Sequence, residues 1–387
     1  MDSAEGARVE PVPERPPTTG PNPAGRATWS QAIKLVLATR LLLMAIAYAA
    51  AWFLADDIGP GAVDPVAIWV KWDASILLRI ALSGYTEAAD PHATAFFPGF
   101  PLLVGALGWT TYSAAVAGLT INAIASVVAV RYLLLLGDRD AGEGSGRGAA
   151  LYLLLFPTAV FLVAPYTEAL FLAGAIPAFY FARRERWVPA GFAAAVAMAV
   201  RFAGVFLILG LVVEWLRRRR DGARALVGLV IAILPLVGYA IYLAASRGDP
   251  FYYFVDQKEG WGREPTDPLV ALERTWNTWS GADYPTNWRF AWRMEIVAAA
   301  LGIAFVVWAV RKREWGYAAF MGSLLATLLV STWYFSIPRM LLTMFPITLF
   351  LAAWSRGRSS RHEAVLVGFA ATCSLGVIVF TQGAWFY

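Results

Sequence analysis

Four ionisable side chains interrupt otherwise apolar stretches: Asp73 in KWDASILLRIALSGY, Glu168 in APYTEALF, Arg201 in MAVRFAG and Arg339 in YFSIPRMLLTMFP. Because an unpaired charge at the centre of a bilayer costs about 2.5 to 3.5 kcal/mol or more, such residues tend to mark a site. A carboxylate in a semi-apolar pocket binds protons more tightly and serves as a general base, and a guanidinium binds phosphate oxygens bidentately. These residue types predict a base and a phosphate ligand.

Asp73 stands where a hydrophobic residue is expected. If residues 66–80 form one helix, at about 100° per residue, Lys71 and Arg79 share a polar face, and Asp73 falls in the middle of the opposite, apolar arc. We therefore predict that Asp73 is a catalytic carboxylate. The alternative is that the helix runs differently and that Asp73 pairs with Lys71 or a nearby arginine at the water surface.

The other three residues each have a structural alternative. Arg201 and Arg339 are candidate phosphate ligands, but either side chain is also explained by snorkelling to the membrane interface. Glu168 begins a predicted helix, where a carboxylate caps the helix and complements its dipole. Both interpretations stay open for these three residues.

The composition is that of an integral membrane protein. Of the 387 residues, 59% are hydrophobic and 15% are charged, with a mean hydropathy of +0.56, whereas soluble domains carry about 25% charged residues. The net charge of +5 is accounted for by short arginine runs between apolar segments, the pattern of cytoplasmic loops. The charge therefore indicates no nucleic-acid partner, and membrane lipids are the expected surroundings.

Eleven membrane crossings are predicted from the apolar segments and the arginine runs. The runs RRER (183–186), RRRR (217–220), RKR (311–313) and RGRSSR (356–361) are assigned to the cytoplasm. The N-terminus is then inside, the C-terminus is outside, and the fifth and sixth crossings form a tight hairpin with Arg201 at its far tip. The predicted crossings are 33–54, 113–136, 148–164, 166–182, 188–200, 202–216, 225–245, 294–310, 315–333, 340–354 and 363–380.

Three further segments complete the predicted organisation. Residues 1–28 contain six prolines and hardly any large apolar residue, and are expected to be a disordered cytoplasmic tail. Residues 56–112 are predicted to be a helical first external loop, in which residues 98–109 form a partly inserted helix that does not cross. Residues 246–293, dense in Trp and Tyr, are the second large external loop. Residues 29–387 are therefore expected to form a single all-α, polytopic membrane domain.

No ligand cluster in the sequence demands a metal or another cofactor. His92 and His362 are too few for a histidine-based metal site, and the lone Cys373 is expected to be a small core residue. DRD (138–140) has the form of the DxD metal motif of nucleotide-sugar transferases, and GEGSGRG (142–148) is glycine-rich. Because the first lies in a short loop assigned to the cytoplasm and the second follows an apolar helix rather than a strand, we interpret both as a flexible linker.

Several motifs resemble the PIG-V family of mannosyltransferases, which includes bacterial members. The sequence WDASILLRIALSGY (72–85), followed by AFFPGFP (95–101), meets the family pattern of WD, a small residue, then I-A-x-x-G-Y and AFFP-x-x-P. PYTEALF (165–171) is similar to the family element Y-[ST]-E-x-L-F. Arg201 and Gly204 match its next element, R-x-x-G.

A later motif adds to the resemblance, and three positions depart from it. IPR (337–339) is similar to a late motif of many lipid-linked sugar transferases. Ser75, Ile76 and Gly99 replace the usual aromatic HF or YF pair and a common Leu. The resemblance implies a GT-C architecture and a polyprenyl-phosphate mannose donor used on the non-cytoplasmic face. It also implies that Asp73 is the catalytic carboxylate of the first external loop.

The sequence therefore predicts a GT-C-like, inverting glycosyltransferase of the cell membrane, with mannose as the expected sugar. We expect Asp73 to deprotonate the acceptor hydroxyl and Arg339 to hold the departing phosphate. The acceptor is a glycolipid, a glycan or a protein. The other residues expected to contact substrate are Trp72, Tyr85, Phe97, Tyr166, Glu168 and Arg201.

Two alternatives remain from the sequence. One is a GT-C enzyme that uses another lipid-linked sugar, such as a glucosyl or arabinosyl donor. The other is a polytopic transporter or lipid flippase, which is typically built from internal repeats with broken helices near the midplane. No internal repeat is evident in this sequence, which disfavours the transporter.

Overall fold

The structure, a computed structural model, describes residues 28–54, 63–86, 89–218, 222–280 and 286–385. Within these ranges the regular elements are helices, no β-strand is present, and the only extended pairing is an isolated bridge between Pro265 and Ser331. The predicted all-α fold is confirmed. The predicted tail of residues 1–28 lies outside the described residues except for Thr28, whose hydroxyl caps the first helix.

Seventeen α-helices follow one another along the described residues. In chain order they are α1 (Trp29–Phe53), α2 (Asp73–Ser83), α3 (Gly99–Leu107), α4 (Thr111–Asp140), α5 (Ser145–Leu154), α6 (Val160–Val163), α7 (Glu168–Ala182), α8 (Trp187–Val200), α9 (Ala203–Arg218), α10 (Gly222–Arg247), α11 (Tyr252–Trp261), α12 (Pro268–Ser280), α13 (Thr286–Arg311), α14 (Trp315–Leu329), α15 (Ile337–Thr343), α16 (Pro346–Ser355) and α17 (Ser359–Thr381). Two 3-10 turns, Ala67–Trp69 and Ala93–Ala95, lie in the segment predicted to be a helical loop.

Several of these helices have the length and composition of a membrane span, which needs about 20 apolar residues. In the described part of the chain five pass this test: α1, α4, α10, Trp288–Arg311 within α13, and α17. If the pair α15 and α16 is counted as one span, it is the sixth. The two helices are bent by 74°, because Pro346 cannot continue the helix before it. The shorter apolar helices are α7, α8 and α14. The chain is a multi-pass membrane protein, and the count of eleven crossings stays a prediction.

A second predicted crossing, besides the one divided between α15 and α16, is not a single helix. Residues 148–164 form the end of α5 and the single turn α6, with a break between them that contains Pro157. Proline lacks the amide hydrogen that a helix interior needs, and its ring clashes with the preceding turn. These residues therefore do not form one continuous helix, and their crossing of the membrane stays a prediction.

The interpretation of residues 138–148 as a flexible linker is also wrong. α4 continues to Asp140, and Asp138 accepts a hydrogen bond from the amide of Gly146 at 2.9 Å. A Cβ on Gly146 would lie 2.2 Å from a backbone oxygen of α4, so this glycine lets α5 pack directly on α4. The carboxylate of Asp140 binds the buried Arg183 at 2.5 Å, beside the C-terminal end of α7.

α7 is the central helix of the packing around the site. It lies against α4 on one side and α8 on another, and α2 and α3 pack on α4 nearby. Gly174 of α7 allows the close approach of α8, because a Cβ there would lie 2.6 Å from the carbonyl oxygen of Ala193. The side chains of Phe171 and Phe179 on α7 are fully buried. This packing holds α7 in place, and with it the N-terminal end of the helix, where Glu168 is the first residue.

The helix predicted not to cross is short in the structure as well. α3 has 9 residues, and nine residues of α-helix span only about 14 Å. Phe100 and Val104 are buried against the protein, whereas Leu102 and Leu107 are 68% and 58% exposed. The length agrees with the prediction that this segment does not cross the bilayer.

Candidate active site

A cavity of about 450 Å³ lies where the N-terminal ends of α2, α7 and α15 meet the break between α8 and α9. The volume falls within the range of about 300 to 1,000 Å³ that is usual for ligand pockets. Helix N-termini carry partial positive charge and unpaired amides, so their convergence favours an anion. The charged residues on the wall are Asp73, Arg201, Arg263, Glu264 and Arg339, and the neutral polar residues there include Thr167 and Gln257.

Arg339 joins the two carboxylates predicted from the sequence. Its Nη1 donates to Oδ2 of Asp73 at 2.7 Å, and its Nε donates to Oε1 of Glu168 at 2.5 Å. The guanidinium carbon lies 4.8 Å from the ring centroid of Phe161 and 4.6 Å from that of Tyr166, distances at which cation–π attraction adds to the ion pairs. Only 10% of the side chain is exposed. A snorkelling arginine extends into water, so the buried Arg339 does not fit that alternative.

Glu168 links Arg339 to Arg201. Its side chain is fully buried, and Oε1 also accepts a hydrogen bond from Nη1 of Arg201. The same nitrogen of Arg201 donates to the Thr167 hydroxyl at 3.0 Å. Glu168 is the first residue of α7, where a negative charge complements the helix dipole. The carboxylate therefore complements the helix dipole and bridges two guanidiniums, although no side chain caps this helix end by a hydrogen bond. Glu168 does not line the cavity, and its contact with substrate stays a prediction.

Asp73 is the first residue of α2 and does not lie within a longer helix. The prediction that residues 66–80 form one helix is wrong, because Trp72 has φ +54° and ψ −126° and interrupts the helical path. A positive φ is uncommon outside glycine, costs about 1 to 3 kcal/mol, and is concentrated at functional sites. The Asp73 side chain is 26% exposed and lines the cavity. Its Oδ1 has no hydrogen-bond partner among the described residues, so a substrate hydroxyl can reach it.

The remaining predicted contacts divide into two groups. Trp72, Phe97 and Tyr166 line the cavity together with Asp73. Tyr85 does not line it, because its hydroxyl donates to the carbonyl oxygen of Phe96 at 2.9 Å and its ring packs on other tyrosines. The geometry therefore supports three of these four residues as substrate contacts and gives Tyr85 a role in shaping the loop.

The 246–293 segment brings to the cavity polar residues that were not predicted from the sequence. Arg263 and Gln257 both line the wall, and Nη1 of Arg263 donates to Oε1 of Gln257 at 3.4 Å. The Gln257 amide in turn donates to the carbonyl oxygen of Ala95, in the AFFPGFP motif, at 3.2 Å. Burial lowers the pKa of the Arg263 guanidinium. The only sequence signal was a basic residue in a predicted external loop, which does not distinguish Arg263 from its exposed neighbours.

Glu295 was missed as well, and it positions the helix that carries Arg339. The carboxylate is fully buried in α13 and accepts hydrogen bonds from the amides of Ser336 and Ile337, each at 2.7 Å. Ser336 has φ +64°, so α2, which begins at Asp73, and α15, which carries Arg339, each begin directly after a residue other than glycine with a positive φ. The signal in the sequence was an acidic residue inside an apolar helix pattern.

One group among the described residues has the composition of a metal site. His92, Asp256 and Glu259 each offer one ligand atom, and these atoms lie within 4.8 Å of one another. Nδ1 of His92 is 3.5 Å from Oδ1 of the buried Asp256, whose other oxygen accepts from the Thr94 hydroxyl. None of these four residues lines the cavity. The sequence did not indicate this group, because His92 and Asp256 are brought together only by the packing of α11 on the 3-10 turn Ala93–Ala95.

The fold is similar to that of a solved membrane protein, ArnT from Cupriavidus metallidurans bound to undecaprenyl phosphate. The TM-score is 0.54 at 14% sequence identity, and the match covers 90% of this chain and 65% of ArnT. The predicted GT-C-like fold is thereby confirmed. By sequence, neither a family profile nor a curated protein matches the chain, and the resemblance to the PIG-V family stays a prediction.

Proposed function

We propose that this protein is a membrane glycosyltransferase that moves a sugar from a polyprenyl-phosphate donor to an acceptor hydroxyl, with inversion at the anomeric carbon. The observation that carries the proposal is the linked set of Asp73, Arg339, Glu168 and Arg201 beside one cavity of a GT-C-like fold. It combines a reachable carboxylate with guanidiniums and helix N-termini, the groups that such a transfer needs. ArnT, which has a similar fold, was solved with undecaprenyl phosphate, and this supports a lipid-linked phosphate as the donor carrier.

In the proposed reaction one bond forms and one bond breaks. The acceptor hydroxyl gives its proton to Oδ1 of Asp73, and the acceptor oxygen attacks the anomeric carbon from the side opposite the phosphate. The bond between the anomeric carbon and the phosphate oxygen breaks, and its electron pair stays on the phosphate. The phosphate thus gains one negative charge while Asp73 gains one proton. Fixed cations and helix ends offset the new charge without having to reorganise.

Apolar residues on the cavity wall supply a surface for the lipid part of the donor. Leu324 and Leu328 of α14 and Phe206 of α9 line the same cavity as the charged set. Burial of apolar surface contributes about 25 cal/mol per Å², so contact with an isoprenoid chain adds affinity that does not depend on the sugar. The arrangement supports a substrate with a charged head group and an apolar tail.

The finer assignments rest on the sequence. Mannose as the sugar and the non-cytoplasmic face as the location of the site follow from the resemblance to the PIG-V family and from the arginine runs. The acceptor in this proposal is a glycolipid, a glycan or a protein. A glucosyl or arabinosyl donor in place of mannose would leave the chemistry of Asp73 unchanged.

A transporter or lipid flippase is the alternative function. Such proteins place broken helices near the membrane midplane in two related halves. The charged residues of this chain instead gather at three helix starts around one cavity, with the bent pair α15 and α16 on one side. A carboxylate that is open to the cavity, with guanidiniums on the same wall, favours transfer over transport.

Transfer can be tested directly in membranes from cells that express the protein. The membranes are incubated with decaprenyl-phosphate mannose labelled in the sugar, and the labelled product is identified by mass spectrometry. We expect a labelled product with the parent and with Glu273→Gln, an exposed carboxylate on α12, and none with Asp73→Asn. If only a glucosyl or arabinosyl donor is used, the assigned sugar changes, and the assignment as a polyprenyl-phosphate-dependent glycosyltransferase stands. No transfer from any of the three donors would overturn the proposal.

A further inference from the structure

We propose that Arg263 is the principal ligand of the donor phosphate and that Arg339 instead positions Asp73. This inference rests on the proposed function and changes the sequence-based assignment of the phosphate to Arg339. It follows from how the charges around the cavity are paired.

The three guanidiniums on the cavity wall differ in their partners. Arg339 binds both Asp73 and Glu168, and Arg201 shares the same Glu168 oxygen. Arg263 has no carboxylate within 4.0 Å among the described residues, and its polar contact is the neutral side chain of Gln257 at 3.4 Å. Arg263 is thus the one cavity guanidinium, in the described part of the chain, whose charge is not matched by an adjacent carboxylate.

The charge balance of the wall points to the same residue. Asp73 and the buried Glu168 pair with Arg201 and Arg339, and Glu264, which also lines the cavity, pairs with Lys258. Among these charged groups Arg263 is the one without an ion-pair partner within 4.0 Å in the described part of the chain. The Glu264 side chain is 48% exposed and bound to Lys258 at 2.5 Å. The buried Glu295 carboxylate acts on Arg263 only through space, because its two oxygens accept from the Ser336 and Ile337 amides. A polyprenyl-phosphate sugar is a phosphodiester with one negative charge. The wall and the head of the donor are therefore complementary in charge.

Burial makes the unmatched charge of Arg263 selective for an anion. The side chain is partly buried, and the ring of Phe335 lies 5.7 Å from its guanidinium carbon. A cation removed from water without a counter-ion is unfavourable on its own, and an entering phosphate supplies the missing charge. Arg263 also presents a planar fork that matches two phosphate oxygens. Arg339 has fewer N–H groups left for a phosphate, because two of its nitrogens already donate to carboxylates.

The contacts of Arg339 fit a positioning role. One nitrogen holds Oδ2 of Asp73 at 2.7 Å, which leaves Oδ1 of this cavity-lining residue without a partner among the described residues. The other contacts tie that guanidinium to Glu168 and to the faces of Phe161 and Tyr166. Arg339 thereby fixes the orientation of the base, and the leaving group is stabilised from the side of Arg263.

Binding of two probe lipids to the purified full-length chain separates these roles. The probes are undecaprenyl phosphate and undecaprenol, which share the tail and differ in the phosphate. We expect the parent to prefer the phosphate, and Arg263→Gln to weaken undecaprenyl phosphate binding by about 10- to 100-fold, the usual scale for a hydrogen bond to a charged group. Undecaprenol binding should stay within twofold, which reports an intact fold. Arg274→Gln, an exposed arginine on α12, is the matched control and should change neither.

The outcomes distinguish this inference from the proposed function. If Arg263→Gln and Arg263→Lys bind undecaprenyl phosphate as the parent does, the phosphate lies elsewhere and the inference is wrong, while donor use by the parent still stands. If the parent itself does not distinguish undecaprenyl phosphate from undecaprenol, the donor class is wrong and both fail. In transfer assays we expect Arg263→Gln to raise KM for the donor and Arg339→Lys to lower kcat.

Discussion

Replacing Asp73 with asparagine separates a catalytic base from an ordinary ion-pair partner. Asparagine is nearly the same size and removes the charge and the basicity of the side chain. Its amide oxygen can still accept the hydrogen bond from Nη1 of Arg339 that Oδ2 accepts at 2.7 Å. Arg339 also keeps Glu168 as a counter-ion at 2.5 Å. The substitution therefore leaves no buried charge without a partner.

The two roles differ by a large factor in rate. Breaking a buried ion pair is costly mainly because it leaves a charge without a partner. Since Arg339 keeps Glu168 as its counter-ion, we expect a loss of about 1 kcal/mol of stability, and loss of a negative charge at the start of α2 costs about 0.3 to 1 kcal/mol more. Loss of a positioned general base lowers the rate by about 10²- to 10⁴-fold, or about 2.7 to 5.5 kcal/mol in the activation barrier. The catalytic role therefore predicts a protein that folds and binds donor but hardly transfers.

The assay compares parent, Asp73→Asn and Glu273→Gln at equal amounts of inserted protein, with transfer from a labelled polyprenyl-phosphate sugar as the readout. Undecaprenyl phosphate binding is measured on the same samples, and we expect it to stay within threefold of the parent. Transfer by Asp73→Asn within threefold of the parent would refute the assignment of Asp73 as the base. Loss of both insertion and transfer would not fit the contacts described, because they predict little loss of stability.

Four further results are expected. Arg339→Lys should lower kcat at least tenfold with little change in donor KM, because an ammonium cannot contact Asp73 and Glu168 as the guanidinium fork does; unchanged kcat would remove its positioning role. Glu295→Gln should lower the free energy of unfolding by about 1 to 3 kcal/mol and also reduce transfer. The reason is that one of the two oxygens that accept from the Ser336 and Ile337 amides is replaced by an NH₂ group, which donates; a parent-like melting temperature would contradict this. In a Cys373→Ser background, a cysteine at Thr86 should react with an impermeant reagent in intact cells and one at Arg186 should not, and the reverse result would invert the predicted topology. EDTA should leave transfer within twofold, because the carboxylates Asp73 and Glu168 of the site already bind arginines; loss of activity that Zn²⁺ or Mn²⁺ restores would assign a metal to the enzyme.

The sequence alone was sufficient for the class of protein and for part of the candidate site. Apolar segments with arginine runs between them predict an all-α membrane chain, because a bilayer accepts few other solutions for the backbone. Asp73, Glu168 and Arg339 were recognisable because charged residues beside apolar segments are costly and therefore rare. The WD and AFFP motifs led to the GT-C-like fold that the structure has.

Tertiary structure decided how these residues are connected. Arg339 lies 266 positions from Asp73 and 171 from Glu168 in the chain, and no local periodicity can predict which carboxylate such a side chain contacts. The start of α2 at Asp73 depends on the unusual backbone of Trp72, which the surrounding packing has to stabilise. Arg263 differs from exposed arginines only in its surroundings, which are Gln257 and the cavity wall. A charged side chain acquires its partners and its burial, and therefore its strength of interaction with a ligand, only when distant helices pack together.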